Sequence, residues 1–299
     1  MSTVNNRVLD PQALTINAIA AGGITNYQIQ IGYDDELQNP VDGHELAMAD
    51  FLTEFCRGNF SSQDWVHFIE LLTGTVGTSV FYERESGKPV ATGYLKHTLN
   101  NPVIYKTVLN LRHRKYADIQ GSFECRAADE TEGILDMWTH LSGQAAPTAL
   151  ETLRALEITA CTHASAAVYH VVGLTLTVEM RLFKASNDGD IGYTAVEALA
   201  SGLKVSGSLI FQDASVATAK IKAAALVTAA RGSLALTVKQ SQGATAKTLT
   251  IAGVKFASGS HDTSAGSTAP DEFSLPFVVT NNFTTPLTLA GANKIITIA

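Results

Sequence analysis

The chain carries an internal repeat, and this repeat constrains the possible folds more than any other feature of the sequence. Residues 57–64 align with residues 206–213, and Gly58, Gln63 and Asp64 each have an identical residue 149 positions later. Two further pairs of segments align in the same order along the chain, 27–31 with 178–182 and 77–87 with 232–243. A chain of 299 residues therefore divides into two similar units of about 150 residues, each large enough to bury its own core.

The composition indicates a folded protein with few surface charges. Hydrophobic residues make up 45% of the chain and charged residues only 16%. Because ordinary soluble surfaces are richer in charge, we expect much of the nominal surface to be buried against partners. The net charge of −7 and the lack of a long run of Lys or Arg argue against binding to nucleic-acid phosphates.

The cysteines and the apolar runs predict a soluble protein made in the cytoplasm. Cys56, Cys125 and Cys161 lack the spacing of metal ligands, so we interpret them as buried thiols in a reducing compartment. The first residues lack the pattern of a signal peptide, and no run reaches the 18 or so apolar residues of a membrane span.

Alternation and turn residues predict a mostly β first unit. The predicted strands cover residues 26–33, 58–62, 79–85, 90–97, 103–112 and 119–126. Amphipathic spacing predicts helices over 63–72 and 134–141, a loop is predicted over 34–43, and 44–55 fits either a short helix or a strand.

The second unit repeats this order with variations. Strands are predicted over 173–183, 207–211 and 273–280, with a hairpin over 233–256 and a helix over 214–230. The fold class is thus α+β, mainly β, with two tandem β-sandwich or barrel-type domains that each carry a flanking helix. The predicted divisions are an N-terminal arm or edge strand (1–22), domain 1 (23–146), domain 2 (147–280) and a C-terminal arm that docks elsewhere (281–299), with Gln144–Thr148 as the linker.

No catalytic, cofactor-binding or metal-binding residue is predicted. The eight histidines form no metal-site pair, and the Asp188–Asp190 segment lacks the later glycine and glutamate of an EF-hand loop. The basic segment Arg112–Lys115 fits a solvated strand end, a phosphate contact or a rim contact with an acidic neighbouring subunit. The chain is therefore not expected to be an enzyme.

With the repeat unit defined, the pattern resembles the tail tube (major tail) proteins of long-tailed bacteriophages. The likeness lies in the order strand, helix, hairpin and closing strand, carried by Arg57–Phe60 through Leu71–Gly74, Ser206–Leu209 through Gly232–Leu234, and the closing strands Ile119–Cys125 and Glu272–Val278. The resemblance implies β-sandwiches with a flanking helix, whose strands join between subunits into a ring with a continuous inner barrel. The rings stack into a hollow tube that conducts DNA.

The resemblance also implies partners and a location. The partners are further copies of the chain, other tail proteins and DNA in transit, with no membrane and no cofactor; the location is the virion tail, assembled in the bacterial cytoplasm. Most such proteins use six single-domain chains per ring, so two domains per chain suggest three chains and pseudo-sixfold symmetry, with a hexameric ring as the alternative. Closing the sheet into a barrel would remove exposed strand edges. The segments 34–43, 258–271 and 281–299 are expected to order when rings stack.

Two other functions fit the same pattern. One is another ring component of the virion, such as a distal-tail, baseplate or capsid-decorating protein, which would stop at a single layer. The other is a carbohydrate-binding or adhesin module, which would display exposed aromatic residues; the only two tryptophans are Trp65 and Trp138, both on predicted helices.

Overall fold

The computed structural model describes residues 9–16, 19–21, 23–38, 48–67, 78–85, 87–89, 91–147, 154–187, 189–212, 231–241, 245–257, 260–262, 272–280, 288–289 and 294–299. These residues are mostly β. The strands are β1 (Leu9–Ile16), β2 (Ile19–Ala21), β3 (Ile24–Gln38), β4 (Met48–Ser62), β5 (Ser79–Glu85), β6 (Tyr94–Leu99), β7 (Pro102–Arg112), β8 (Asp118–Cys125), β9 (Trp138–Gln144), β10 (Leu156–His163), β11 (Ala166–Ala167), β12 (Val171–Ala185), β13 (Ala195–Gln212), β14 (Gly232–Gln240), β15 (Lys247–Phe256), β16 (Ser260–Asp262), β17 (Glu272–Val279) and β18 (Ile296–Ile298). The described part holds one helix, α1 (Ile134–Met137).

The strands form two antiparallel sheets, which confirms the mainly β prediction. The smaller sheet has the order β2-β1-β5-β6-β9. The larger has the order β11-β10-β14-β15-β17-β13-β12-β7-β8-β4-β3, with β16 paired to β17 and β18 paired to β15. Alternation drives these strands: in β14, for example, Leu234, Leu236 and Val238 are fully buried, and the residues between them are partly exposed.

The pairing of strands repeats between the two halves of the chain. In the first half β1 pairs with β2 and β5, β3 with β4, and β4 with β8. In the second half β10 pairs with β11 and β14, β12 with β13, and β13 with β17. Even the irregularities recur, because the register shifts at Pro11/Ala13 and Ile24/Asn26 have counterparts at Ile158/Ala160 and Val171/Gly173. The sequence repeat is thus also a repeat of topology.

A backbone bend that moves the chain from one layer to the other also recurs. Asn101 follows β6 and has a φ of 46°, and its carbonyl accepts a hydrogen bond from the Arg126 amide at 3.1 Å. Gly253, with a φ of 72°, lies at the matching position in β15, and its carbonyl accepts from the Thr280 amide at 3.0 Å. Asn and Gly are the residues that tolerate this left-handed conformation best. The bend separates β6 from β7 in the first half, whereas β15 continues through it and joins both layers in the second.

The side chains between the layers form two buried clusters. In the first half, Phe81 and Leu99 of the smaller sheet pack with Phe60 and Phe123 of the larger one. The rings of Phe81 and Phe123 lie 6.2 Å apart, a favourable tilted contact. In the second half the core comes from the β10, β14 and β15 layer on one side and the β12, β13 and β17 layer on the other. This arrangement is consistent with a pair of sandwiches.

The two halves join through a continuous sheet. Strand β7 of the first half pairs with β12 of the second over seven positions, from Lys106 opposite Glu179 to Arg112 opposite Gly173. On the core side of this junction Leu109 and Leu176 lie opposite each other and are fully buried. The halves therefore share hydrogen bonds and core, and do not hang from a linker alone.

Several local predictions from the sequence are wrong. Helix α1 ends at Met137, and Trp138–Gln144 is strand β9, held by pairing with β6 and by the stacking of Trp138 on His97 at 5.9 Å. Residues 34–38, predicted as loop, continue β3, because β4 runs back beside them from Met48. The pairing of β3 with β4 also shows that the segment 44–55, which fitted either a helix or a strand, is a strand from residue 48 onward.

The alignment of residues 27–31 with 178–182 is also out of register. Tyr27 lies opposite Phe60, whereas the matching residue Leu209 lies opposite Leu174. The counterpart of Tyr27 is therefore Leu174, four residues before Val178. Sequence similarity at these positions is too low to fix a strand register, which pairing and bulges decide.

The terminal segments contribute to the sheets. Residues 9–16 and 19–21 of the predicted N-terminal arm form β1 and β2 in the smaller sheet. The last residues of the predicted C-terminal arm pair with β15 in their own half, and Ile295 and Ile296 are buried in its core, so these residues do not dock elsewhere. Residues 63–67, the first half of the predicted helix 63–72, form a bend and a turn and not a helix. The second half of that helix and the predicted helix 214–230 lie outside the described residues, as do most of the segments expected to order on ring stacking.

We predict that two matched glycines are required for sheet packing. A Cβ on Gly58 would lie 2.0 Å from the Gln28 carbonyl oxygen, and one on Gly207 would lie 2.1 Å from that of Thr175. Aromatic rings also close over both positions, Phe123 over the first and Phe277 over the second. Gly58→Ala and Gly207→Ala should each lower the free energy of unfolding by roughly 1–3 kcal/mol, as overpacked core substitutions do.

Urea denaturation followed by circular dichroism would measure this change, with Ser61→Ala on the opposite face of β4 as the control. The control should stay within about 0.5 kcal/mol of the parent. Equal stability of the two glycine variants and the control would contradict the close approach.

Candidate functional site

The residues with catalytic potential are dispersed or are engaged in bracing the fold. His113 accepts a hydrogen bond at its Nδ1 from the Ile158 amide at 3.1 Å, and His97 contacts Glu83 at 3.3 Å and the Trp138 indole at 3.2 Å. Among the described residues no cluster of three or more His, Cys, Asp or Glu side chains has a metal-binding arrangement. Cys56, Cys125 and Cys161 are buried free thiols.

The basic segment Arg112–Lys115 lies at the turn after β7 and links the two halves of the chain. The Arg112 guanidinium donates to the Glu272 carboxylate at 2.7 Å, and the Arg114 amide donates to the Leu156 carbonyl at 2.6 Å. One of the three interpretations of this segment was a contact with an acidic neighbouring subunit; for Arg112 the acidic partner, Glu272, is in the same chain.

The acidic turn near residue 190 is braced internally. The Asp190 carboxylate accepts hydrogen bonds from the Thr194 hydroxyl and from the Asn187 amide, each at 2.7 Å. These bonds hold the pKa of Asp190 below its usual value, because they favour the ionised form. The described part of this turn thus has a structural explanation.

The face of the larger sheet that points away from the core is polar and runs without a break across both halves. Successive strands place mostly uncharged polar residues side by side in rows perpendicular to the strands. One row contains Asn26, Ser61, Gln120, Val108, Thr177 and Ser206; the next contains Asp118, Asn110, Thr175 and Ser208. All of these side chains are at least partly exposed. We call this surface the polar face.

Hydrogen bonds within the polar face engage some of its side chains. Ser122 donates to Asn59 at 2.7 Å, and the Asp118 carboxylate accepts from Asn110 at 3.3 Å and from Gln120 at 3.0 Å. Side chains that bond to each other offer fewer free donors to a ligand.

Charges on the polar face occur as neighbours of opposite sign. Lys106 lies opposite Glu179, which in turn lies opposite Lys204, and Arg57 lies opposite Glu124. No block of one sign forms along these described rows. Such a surface neither concentrates phosphates nor repels them strongly.

Within the row β3-β4-β8-β7-β12-β13-β17-β16 of the larger sheet, both end strands lack an outer neighbour among the described residues. One is β3, the last strand of the sheet; the other is β16, which pairs only with β17. Unpaired edges expose backbone donors and acceptors, which makes them sites for pairing with another chain. Inside the molecule, the strands at the matching positions, β12 for β3 and β7 for β16, pair with each other. Each of the two bare edges therefore corresponds to one side of a strand pairing that the chain already contains once.

The side chains of β3 show the effect of the missing neighbour. Leu176 and Val178 of β12 are fully buried, whereas their counterparts in β3, Ile29 and Ile31, are partly buried and 42% exposed respectively. Beside them Tyr33 is 48% exposed and borders a cavity of 570 Å³ that also contacts Ile191. Exposed apolar side chains grouped along a bare strand edge are typical of an interaction surface.

A cluster of charged residues ties β12 to the first half next to this edge. Lys184 of β12 lies 3.2 Å from a Glu124 carboxylate oxygen and 3.3 Å from one of Asp34, and its ammonium sits 4.4 Å from the centre of the Tyr193 ring. The Tyr193 hydroxyl donates to the same Asp34 oxygen. The Arg57 guanidinium caps the cluster by stacking on Phe55 at 4.1 Å.

The two carboxylates of this cluster respond to it in opposite ways. Burial raises the pKa of Glu124 above its usual value, although Lys184 and Arg57 act against that rise. Partial burial also acts to raise the pKa of Asp34, but the hydrogen bond from Tyr193 and the charge of Lys184 outweigh it and lower the pKa. The ionised Glu124 therefore depends on Lys184, because Glu124 is only 2% exposed.

The sequence did not identify this cluster or the strand edges as one region. Asp34, Glu124, Lys184 and Tyr193 are far apart in the chain and belong to no spacing motif. The internal repeat was the one feature of the sequence that pointed to the strand edges. When two repeated units pair edge to edge, the outer edge of each unit is left without the partner that the inner edge has.

No family model matches the chain, and no curated protein matches it either. No helix in the described ranges is both long enough and apolar enough to cross a membrane.

We predict that Lys184→Met destabilises the fold in a pH-dependent way. The free energy of unfolding should fall by about 1–3 kcal/mol at pH 7, between the values for exposed and fully buried ion pairs. The folded-state pKa of Glu124 is already raised, so its ionisation weakens the fold as the pH rises through that pKa; without Lys184 this loss grows. The deficit should therefore shrink between pH 7 and pH 5, as Glu124 becomes neutral.

Urea midpoints at the two pH values would measure the deficit. Lys239→Met is the matched control, since Lys239 and Glu157 form a pair at 3.0 Å in which both side chains are more than a third exposed. Its effect should be below about 1 kcal/mol at both pH values. A pH-independent deficit in Lys184→Met would contradict the role given to Glu124.

Proposed function

We propose that this chain is a structural subunit of a phage virion, and that its copies close into rings which stack into the hollow tail tube that delivers DNA. The observation that carries the proposal is the pair of unfilled strand edges, β3 and β16. They end the row of eight strands from β3 to β16, and they match the two strands of the β7–β12 junction inside the chain. Because the two edges are different and complementary, the β16 edge of one copy would meet the β3 edge of the next copy in a head-to-tail contact. Such contacts build closed rings when the rotation per subunit closes, and filaments when it does not.

The number of chains per ring follows from the repeat. If each half is one sixth of a pseudo-sixfold ring, three chains complete it. Each chain contributes eight strands to the row from β3 to β16, so three chains supply a barrel of 24 strands. A barrel of this size leaves an open channel, as the large membrane porins do with fewer strands.

The polar face supports a role as the channel lining. Its opposite side packs on the core, so the polar face is the side of this sheet that is free to line a lumen. Polar side chains that are mostly uncharged, with some already bonded to a neighbour and with charges in opposite-sign pairs, would bind DNA weakly. A conduit benefits from weak binding, because each phosphate contact would slow the passage of DNA.

We predict that the purified protein assembles into hollow rods at high concentration. Negative-stain electron microscopy should show a central channel and a regular axial repeat, with end-on views that have threefold or pseudo-sixfold symmetry. Single rings that never stack would instead favour another ring component of the virion. A protein that remains monomeric at every concentration and salt condition would refute the assembly.

We also predict that lysines placed on the polar face turn the channel into a trap for DNA. The variant Asn59→Lys/Gln120→Lys/Ser208→Lys should retain a short DNA duplex in pelleted rods at 50 mM salt and lose it at 200 mM, whereas the parent retains none. Retained DNA should also resist nuclease digestion, because it lies within the tube.

The control places the same three charges elsewhere on exposed positions, as Thr92→Lys/Ser142→Lys/Thr245→Lys. DNA held by these lysines should remain sensitive to nuclease. Equal nuclease protection in the two variants would show that the polar face does not line the channel.

A further inference from the structure

The junction inside the chain fixes how two copies can join. Strands β7 and β12 pair in antiparallel fashion with Val108 opposite Thr177, Leu109 opposite Leu176 and Asn110 opposite Thr175. Because the strand pairings of the two halves match, each of these positions has a counterpart at one of the bare edges.

The counterpart of β12 is β3. Both strands begin after a residue of positive φ: Gly23 at 58° before β3, and His170 at 62° before β12. The Gly23 carbonyl accepts a hydrogen bond from the Gln63 amide, and the His170 carbonyl accepts one from the Gln212 amide, each at 3.0 Å. Further along, Ile29 lies opposite Gly58 as Leu176 lies opposite Gly207.

These matches set the correspondence for the edge residues. The positions of Thr175, Leu176 and Thr177 in β12 are occupied in β3 by the residues 28–30, which are Gln28, Ile29 and Gln30.

The counterpart of the edge-facing part of β7 is β16. Val108 lies opposite Gln120 in β8, and Ser260 lies opposite Ser274 in β17. Gln120 and Ser274 occupy matching positions. The residue after Gln120, Gly121, lies opposite Phe60, and the residue after Ser274, Leu275, lies opposite Leu209, which is the counterpart of Phe60.

The positions of Val108, Leu109 and Asn110 are therefore occupied in β16 by residues 260–262. Six strands separate β16 from β3 in the sheet, which at about 4.8 Å per step places the two edges roughly 34 Å apart along it. Within one molecule the two edges are not paired with each other.

We propose that β16 of one copy pairs in antiparallel fashion with β3 of the next copy, in a register that puts Ser260 opposite Gln30, His261 opposite Ile29 and Asp262 opposite Gln28. This inference rests on the proposed function and specifies its partner, a second copy of this chain. The pairing would satisfy the free backbone groups of both edges, and the neighbouring chain would cover the apolar side chains of β3, including Ile31, which is 42% exposed without it.

A second copy is the occupant that the structure favours, because both complementary edges are present in every molecule. Their strand direction and register are those of a junction the chain already forms, whereas an unrelated partner would have to supply a strand that fits β3 or β16 by itself. The contact is heterologous, so each copy uses one edge toward one neighbour and the other edge toward the next.

Disulfide trapping tests the register. The double variant Ser260→Cys/Gln30→Cys is assembled and oxidised by air with a copper catalyst, so that each pair of thiols loses two protons and two electrons to oxygen. Non-reducing electrophoresis should show covalent dimers and larger multiples, because directly opposed Cα atoms lie within disulfide reach.

Two controls calibrate this result. Ser260→Cys/Asn26→Cys moves one thiol four residues along β3, about 13 Å away, and should cross-link at least tenfold less. Val108→Cys/Thr177→Cys places thiols at the matching positions of the internal junction and should close a disulfide within one chain. The native cysteines are buried and are common to all variants.

The outcomes separate the register from the function. Rods or rings in which the matched pair does not cross-link preferentially would overturn the register and leave the tube proposal standing. Absence of any assembly, together with absence of cross-links, would overturn both.

If the cysteine variants do not fold, hydrogen exchange on the unmodified protein gives the answer. The amides of residues 26–30 and 260–262 should exchange at least tenfold more slowly in the assembled fraction than in the monomer fraction. Unchanged exchange at both edges would refute the pairing.

Discussion

The pairing of β7 with β12 is the interaction on which the rest of this structure depends. It makes one sheet out of two repeated units, brings the apolar rows of both into contact and leaves one matching edge bare at each end. Without it the halves would be two separate sandwiches, each with two open edges. With it, the chain contains one formed β7–β12 pairing, while the matching edges of β3 and β16 have no such partner. Strand pairing is local and directional, so the same backbone geometry is available again wherever the same two edges meet.

The bare edges and the polar face are consequences of this single arrangement. Because the sheet has one face committed to the core, all side chains that alternate with the core residues must lie on the other face. In this chain those positions are filled mostly by Ser, Thr, Asn and Gln, and some of them bond across strands, as Ser122 does to Asn59 and Asn110 to Asp118. These uncharged positions contribute to the low charge content of the chain.

The charged cluster around Lys184 shows how the junction is reinforced away from the sheet core. Beyond Glu179, β12 has no further pairing with β7, and the register with β13 shifts before Arg181. From there the contact between halves is made by side chains, with Lys184 serving a buried carboxylate on β8 and an exposed one on β3. The buried Glu124 of the first half is stabilised in its ionised form chiefly by Lys184 of the second half, so the stability of this region depends on both halves.

The sequence by itself determined the features that follow from a repeating pattern, namely the bounds of several strands and the matching positions of the two units. Alternation placed β5, β7, β8 and β17 within about a residue of their observed bounds, and the repeated Gly58 and Gly207 marked matching positions in the two units. It failed where a partner strand decides the conformation: Trp138–Gln144 is a strand because β6 lies beside it, and residues 34–38 continue β3 because β4 returns along them. The junction, the bare edges and the Lys184 cluster join residues far apart in the chain, so only the tertiary structure decided them. Alternation is written in neighbouring residues, whereas the choice of which strand lies beside which depends on pairing energies that the whole sheet must satisfy together.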